Sequence, residues 1–256
     1  FLVPPPSSFG PGPHRVRFSV RVSNKPISGN FVAEMAPLDE MPHAVHLFLE
    51  QVYHGLWDNT WFYLNGPHVM QAGPQDWDGT EEENENAALK KFQETQLDTL
   101  SFPEYSHNFP HVPFTMGFTG RPGGPDFYIN KANNTEPHGP GGQFQHDLEE
   151  QADPCFAKIV EGHTFLQEKI FSSPTYGEET DYAYFMIEPV EIVSVRIIQP
   201  NMKELDGQGQ QQKQQQAEIR AETLVQGATV IAAGGTPKIA KVSPQFNAEA
   251  AHHHHQ

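Results

Sequence analysis

Histidine has the most obvious capacity for metal chemistry in this chain, because 14 are present. His107 and His111 are four residues apart, a spacing that would place two imidazoles on one face of a helix. Pro110 lies between them, and the residues before it are typical of a strand, so no helix is expected there. No third ligand follows at a suitable spacing, and the run at 252–255, whether a tag remnant or natural, is not counted. The sequence therefore predicts no metal site.

Serine, histidine and acidic residues are plentiful, but the motifs that arrange them for catalysis are missing. The chain has no Gly-x-Ser-x-Gly elbow, phosphate-binding loop or dinucleotide fingerprint. Hydrolase and nucleotide-binding functions therefore have no support, and no cofactor is predicted. The single cysteine, Cys155, excludes an intramolecular disulfide and is predicted to be a small buried residue on a strand.

One modification signal is present in a polar segment. Residues 133–135, Asn-Asn-Thr, form an N-glycosylation acceptor pattern centred on Asn133. Such a pattern matters only in a secretory lumen or outside the cell. It favours those locations without choosing between them, and the rest of the sequence leaves the compartment unknown.

The charge balance limits the partners. Sixteen Lys and Arg against 32 Asp and Glu give a formal net charge of −16, which would repel nucleic acid and anionic membrane surfaces. No apolar run reaches the roughly 18 residues that a membrane-spanning helix needs. We therefore expect no nucleic-acid partner and no membrane span in this chain. A neutral or basic peptide or protein segment is the favoured partner.

The elements that must position these residues follow from the apolar pattern, which predicts a mainly β domain over residues 14–200. Residues 1–13 form a Pro/Gly-rich leader, and residues 201–256 form a Gln-rich tail whose apolar stretch at 224–233 is a candidate contact with an assembly partner. The predicted strands are 14–22, 31–35, 61–64, 68–71, 114–117, 126–130, 154–160 and 182–195. One predicted helix starts at Pro42, and two others span 87–93 and 164–171. Pro189 predicts a bulge or break in the last strand.

Several motifs in this order resemble those of the cyclophilin family of peptidyl-prolyl cis-trans isomerases, of which this chain would be a divergent member. They are Gly-Asn-Phe-Val-Ala-Glu-Met at 29–35, Met-Pro-His at 41–43 with Phe48, Val-Met-Gln-Ala-Gly at 69–73, the Gly/Pro-rich loop and strand at 117–130, and Phe-Ala-Lys-Ile-Val-Glu-Gly at 156–162. The resemblance covers residues 14–197 and implies an eight-stranded antiparallel β-barrel capped by two α-helices, with extended N- and C-terminal segments.

The resemblance also implies a peptide groove. The residues that would line it, here called the groove residues, are Tyr63, His68, Val69, Gln71, Gly117 and Tyr128. In the family, an arginine next to the substrate is the catalytic cation, and aligning Gln71 with the family's glutamine puts Tyr63 in its place. A phenol cannot replace a permanent positive charge. The family's later tryptophan falls near Pro137, and its pocket histidine falls at Asp153. Gln71 is the polar groove residue that the chain retains.

Three hypotheses follow from these replacements. The leading one is a divergent cyclophilin-like protein that binds proline-containing peptide segments or a protein partner, with isomerase activity weak or lost. The second is an active isomerase of unusual specificity, in which Arg121 from the Gly/Pro-rich loop substitutes for the missing cation. The third is a structural or assembly component that uses the fold together with its terminal segments.

Overall fold

The computed structural model describes residues 9–74, 87–142, 151–177 and 183–198. The eight strands within these ranges form one closed barrel. They are β1 Arg15–Val22, β2 Ser28–Met35, β3 Thr60–Asn65, β4 Val69–Gly73, β5 Thr115–Phe118, β6 Phe127–Asn130, β7 Cys155–Glu161 and β8 Phe185–Ile198. The order around the barrel is β1-β2-β7-β5-β6-β4-β3-β8, and every neighbouring pair is antiparallel. The predicted fold class is confirmed.

Alternating apolar residues explain the barrel wall. In β1, Val16, Phe18, Val20 and Val22 are all buried, whereas Arg15, Arg17 and Arg21 between them are not. This period of two is what a strand with one face on a core requires. The interior is rich in stacked aromatic rings, such as Phe18 on Phe31 at 4.5 Å between centroids.

Helices close the barrel. Helix α1, Pro42–Tyr53, begins with proline at its first turn, where the missing N–H costs no hydrogen bond. Its Phe48 is fully buried and contacts Phe18, Phe118, Phe127 and Phe156. Helix α2, Ala87–Glu94, buries Phe92 against Trp57 at 5.0 Å between ring centroids.

Helix α3, His163–Phe165, continues as a π-helix over Leu166–Ile170 and packs on β2. Its Phe165 ring occupies the space where a side chain at Gly29 would lie, because a Cβ added there would come within 2.5 Å of the ring. Leu166 and Ile170 are buried in the core. Helices α1 and α3 are therefore the two predicted caps, and α2 is a third, smaller helix.

Two features of β8 and the chain ends complete the fold. Pro189 lies within β8, and the pairing of β3 with β8 changes register there, between Phe62↔Val190 and Leu64↔Phe185. The strand is continuous with an irregularity at the predicted place.

None of the helices in the described ranges has the length and apolar character that a membrane crossing needs. The tail at 201–256 and residues 1–8 of the leader lie outside the described residues.

Candidate functional site

One row of paired residues crosses three strands of the barrel wall and carries three of the groove residues. Tyr128 in β6 pairs with Gln71 in β4 on one side and with Gly117 in β5 on the other. Directly paired residues on neighbouring strands point to the same side of a sheet, so these three share a face. The alternation puts the neighbours Phe127 and Ile129 into the core, where both are fully buried. The structure therefore brings Gln71, Gly117 and Tyr128 together.

A first polar cluster, the Tyr63 cluster, consists of Tyr63, Gln71 and Asp126. The Tyr63 hydroxyl donates to Asp126 Oδ2 at 2.6 Å, and Gln71 Nε2 donates to the Tyr63 hydroxyl oxygen at 2.6 Å and to Asp126 Oδ2 at 3.0 Å. Tyr63 and Gln71 are buried, whereas Asp126 is half-buried. The position that the resemblance assigns to a cation is therefore a neutral phenol bound to a carboxylate.

The electrostatics of this cluster follow from burial and from the carboxylate. Burial and the charge of Asp126 raise the pKa of Tyr63 well above its usual value, so the phenol stays protonated. Burial also raises the pKa of Asp126, and the hydrogen bonds from Tyr63 and Gln71 oppose that rise. Gly73 makes room for the carboxylate, because a Cβ added there would lie 2.6 Å from Asp126 Oδ1.

A second polar cluster, the Asp153 cluster, lies on the other side of Tyr128. Asp153 Oδ2 accepts hydrogen bonds from the Tyr128 hydroxyl at 3.0 Å and from His138 Nδ1 at 2.6 Å. Asp153 Oδ1 accepts from Arg121 Nε at 3.0 Å. Burial alone would raise the pKa of Asp153, but the hydrogen bond from His138 and the charges of His138 and Arg121 lower it on balance. This carboxylate is therefore held in its ionised form.

Arg121 is fixed by its partners. Besides Asp153, its guanidinium donates to the Gln151 carbonyl at 2.8 Å and to the Pro137 carbonyl at 3.4 Å. No part of its side chain is exposed. Arg121, which the sequence suggested as a mobile substitute cation, is thus buried, and its charge is paired with Asp153, the residue that the resemblance aligns with the family's pocket histidine.

His111 completes the Asp153 cluster. Its Nε2 donates to the Asp153 backbone carbonyl at 2.9 Å, so the neutral ring carries its proton there and leaves Nδ1 without one. The ring is fully buried, and burial lowers its pKa to about 4. Gly117 permits this packing, because a Cβ added to it would lie 2.8 Å from both His111 Cε1 and the Tyr128 hydroxyl oxygen.

The accessible surface of the groove residues is small. Tyr128, expected as the floor of a proline pocket, is 1% exposed, because His111, His138, Arg121 and Asp153 surround its hydroxyl end. Val69 is also buried. Half-buried His68 stacks on His138 with 5.8 Å between ring centroids, which places it at the edge of the Asp153 cluster.

Three residues of the two clusters were not predicted as site residues from the sequence: Asp126, His111 as a packing residue, and His138. Asp126 could have been found, since it comes directly before β6 and a correct strand register puts it next to Gln71. The roles of His111 and His138 depend on loop conformations that no periodicity reports.

Other candidate residues have plain structural settings. Cys155 is fully buried at the start of β7, and burial raises the pKa of its thiol to about 12, which makes it a poor nucleophile. Asn133 is exposed, and its Oδ1 accepts the Thr135 backbone N–H at 3.1 Å. The described residues contain no group of three or more His, Cys, Asp or Glu side chains arranged to hold a metal ion.

Comparison with solved structures identifies the architecture. A crystal structure of a cyclophilin-type peptidyl-prolyl cis-trans isomerase from Cryptosporidium parvum matches with a TM-score of 0.50 and 15% sequence identity, covering 73% of this chain and 98% of that one. The chain has the cyclophilin fold. A second crystal structure under the same name, in the presence of the dipeptide Ala-Pro, matches with a TM-score of 0.49 and 16% identity, covering 73% and 99% of the two chains.

Sequence comparison adds nothing beyond the fold. No protein-family model and no curated protein sequence matches this chain. At 15% identity the cyclophilin fold is shared while most side chains differ, so function has to be argued from the Tyr63 and Asp153 clusters themselves.

Proposed function

We propose that this protein uses the cyclophilin fold as a binding domain for a peptide segment or protein partner and has lost most or all prolyl isomerase activity. The observation that carries the proposal is the burial of Tyr128 beneath the Asp153 cluster. A floor residue that is 1% exposed offers a proline ring almost no surface. The pairing of Arg121 with Asp153 supports the same conclusion.

Prolyl isomerisation requires little chemistry but a specific environment. The barrier of about 18–20 kcal/mol comes from amide resonance, and it falls when the proline nitrogen loses conjugation. A catalyst therefore needs an apolar pocket for the ring and a positive group near the nitrogen, so that the twisted amide is bound better than either planar form. Both requirements can be compared with the two clusters.

The charges in the two clusters do not meet these requirements. Tyr63 is neutral, and its hydrogen bond goes to a carboxylate. Arg121 shares its partner Asp153 with Tyr128, but Asp153 balances its charge and three acceptors fix its position. Freeing Arg121 would break a buried ion pair of Asp153, which costs several kcal/mol. These contacts support a binding role over an active isomerase that uses Arg121.

An NMR exchange experiment tests the proposal. We expect the chain at about 50 µM to leave the cis-trans exchange of an Ala-Pro tetrapeptide close to its uncatalysed time constant of tens to hundreds of seconds. An ordinary cyclophilin at the same concentration is the positive control. Turnover near that of the control, abolished by Gln71→Ala or Tyr128→Ala, would overturn the proposal. The Gln71→Ala and Tyr128→Ala variants separate turnover by this site from a contaminating isomerase.

A further inference from the structure

Asp126 is a half-buried acidic residue whose carboxylate receives hydrogen bonds from neutral side chains. The buried Asp153, by contrast, is paired with Arg121 and His138. Asp126 receives its hydrogen bonds from two neutral groups, the Tyr63 hydroxyl and the Gln71 amide, and no Lys, Arg or His in the described ranges forms an ion pair with it. Such a carboxylate is desolvated without electrostatic compensation.

The two donors also orient the carboxylate. Both bind Oδ2, and within the described residues Oδ1 accepts no hydrogen bond. Tyr63 and Gln71 are buried, whereas Asp126 is half-buried, so Asp126 is the most exposed residue of the Tyr63 cluster. Gly73 keeps the space beside it clear, since any larger residue would contact Oδ1. An oriented acceptor with a free oxygen is the complement of a guanidinium or ammonium group.

We propose that the Asp126 carboxylate, held by Tyr63 and Gln71, binds a basic side chain, Arg or Lys, of the partner segment. The inference rests on the proposed binding function and specifies its chemistry. Charge complementarity supports this occupant, because residues 1–200 carry 27 acidic and 11 basic side chains. The sequence that continues from Pro74, at 75–86, contributes six acidic and no basic residues. Basic segments would be attracted from a distance and then paired at Asp126.

The neutral environment around Asp126 explains why a basic ligand would gain affinity here more than at the surface. A surface carboxylate is well solvated, and pairing it contributes little. Tyr63, Gln71 and Gly73 already displace part of the water around Asp126. A bound cation would therefore supply the opposite charge that the fold does not provide. Arginine is the stronger candidate, because its planar fork can reach Oδ1 and a neighbouring acceptor together.

The test compares two blocked pentapeptides, Ac-Gly-Ala-Arg-Ala-Gly-NH2 and its Gln counterpart, titrated into the full 15N-labelled chain. We expect the Arg peptide to bind about tenfold more tightly than the Gln peptide, with amide shifts in β4, β6 and the 119–126 loop. Asp126→Asn should abolish the preference. Glu168→Gln removes the same charge from the exposed face of the π-helix and should preserve the preference.

A second variant keeps the inference testable if Asp126→Asn does not fold. Gly73→Ala retains the charge but places a methyl group where Oδ1 lies, so it should also weaken the preference for the Arg peptide. Equal affinity for the two peptides, an unchanged preference in Asp126→Asn, or no binding of either peptide would each overturn the inference. The isomerase measurement is independent of these outcomes, so the proposed function stands or falls separately.

Discussion

At the scale of single residues, Tyr63 determines what its side of the site can hold. An arginine at this position would be paired by Asp126 and would present donors to a substrate. The phenol instead donates its hydrogen bond to Asp126 and accepts one from the Gln71 amide. The Gln71 amide is therefore bound within the fold, and the charge of the cluster is that of Asp126, which is negative when ionised.

The Tyr63→Phe variant tests this arrangement. The hydrogen bond from Tyr63 lowers the pKa of Asp126, so its removal should raise that pKa further above the ordinary value. We also expect the free energy of unfolding at pH 7 to fall by about 1–2 kcal/mol, since the bond is made to a charged group. Carboxyl 13C titration and urea unfolding measure the two effects.

The Tyr63→Phe prediction has a matched control and a clear failure. Tyr53→Phe removes a hydroxyl from a half-exposed side chain on α1 and should change neither quantity. A lower pKa for Asp126 in Tyr63→Phe would show that the hydroxyl does not donate to the carboxylate. Since folded Asp126 has a raised pKa, its ionisation opposes folding as pH rises, and Tyr63→Phe should therefore cost more at pH 7 than at pH 4.

At the scale of elements, the 119–126 loop between β5 and β6 connects the two clusters. It contributes Arg121 to the Asp153 cluster and ends at Asp126 in the Tyr63 cluster. Its path depends on glycine, because Gly123 has φ +115 and a Cβ there would lie 2.9 Å from the Gly120 carbonyl. The Gly/Pro-rich composition of the loop is thus the condition for placing both charges.

Arg121 should hold this loop on the segment that contains Asp153. We expect Arg121→Ala to destabilise the fold by about 3–5 kcal/mol, because Asp153 would keep its buried charge and lose its arginine partner. The double variant Arg121→Met, Asp153→Asn should lose less than the sum of its single variants. Urea unfolding of all four forms gives the coupling energy.

Arg15→Ala is the control for losing a surface arginine. Its ion pair with Glu34 is half-exposed on the Arg15 side, and its loss should cost less than about 1 kcal/mol. If Arg121→Ala costs no more than this control, the buried pair does not fasten the loop. Faster hydrogen exchange at residues 119–126 in Arg121→Ala would identify the loop as the element released.

Periodicity predicted the elements well and their side-chain contacts poorly. The alternation in residues 14–22 became β1, Pro42 began α1 as expected, and Pro189 marks the irregularity in β8. These signals are local, since they depend on burial of one face. The pairing of Arg121 with Asp153 joins residues 32 positions apart through two loops, and no repeat in the sequence encodes it. The alignment of Tyr63 with the family's arginine stays a prediction from the resemblance, and the bond from Tyr63 to Asp126 depends on the strand register, which the sequence does not give.

At the scale of the whole molecule, the barrel buries ionisable groups that an ordinary hydrophobic core would exclude. His111, Asp153 and Arg121 lie together near the Tyr128 hydroxyl, on the face of β6 opposite to the core residues Phe127 and Ile129, and their hydrogen bonds replace the water that they lost. Stability consequently depends on protonation as well as on packing. The acidic limb of the pH dependence should report this cluster, since burial lowers the pKa of His111, and the hydrogen bonds and charges of His138 and Arg121 lower the pKa of Asp153.

His111 supplies the quantitative prediction for the whole fold. Its folded pKa is about 4 against 6.5 for the unfolded chain, so the unfolded state binds more protons between these values. The contribution of His111 to the free energy of unfolding should therefore be constant above pH 6.5 and fall by on the order of 3 kcal/mol as pH drops to 4. His111→Gln should be less stable at pH 7 but show a flatter profile in urea unfolding. The control is His54→Gln, an exposed position directly after α1, and equal flattening by both variants would refute a special role for His111.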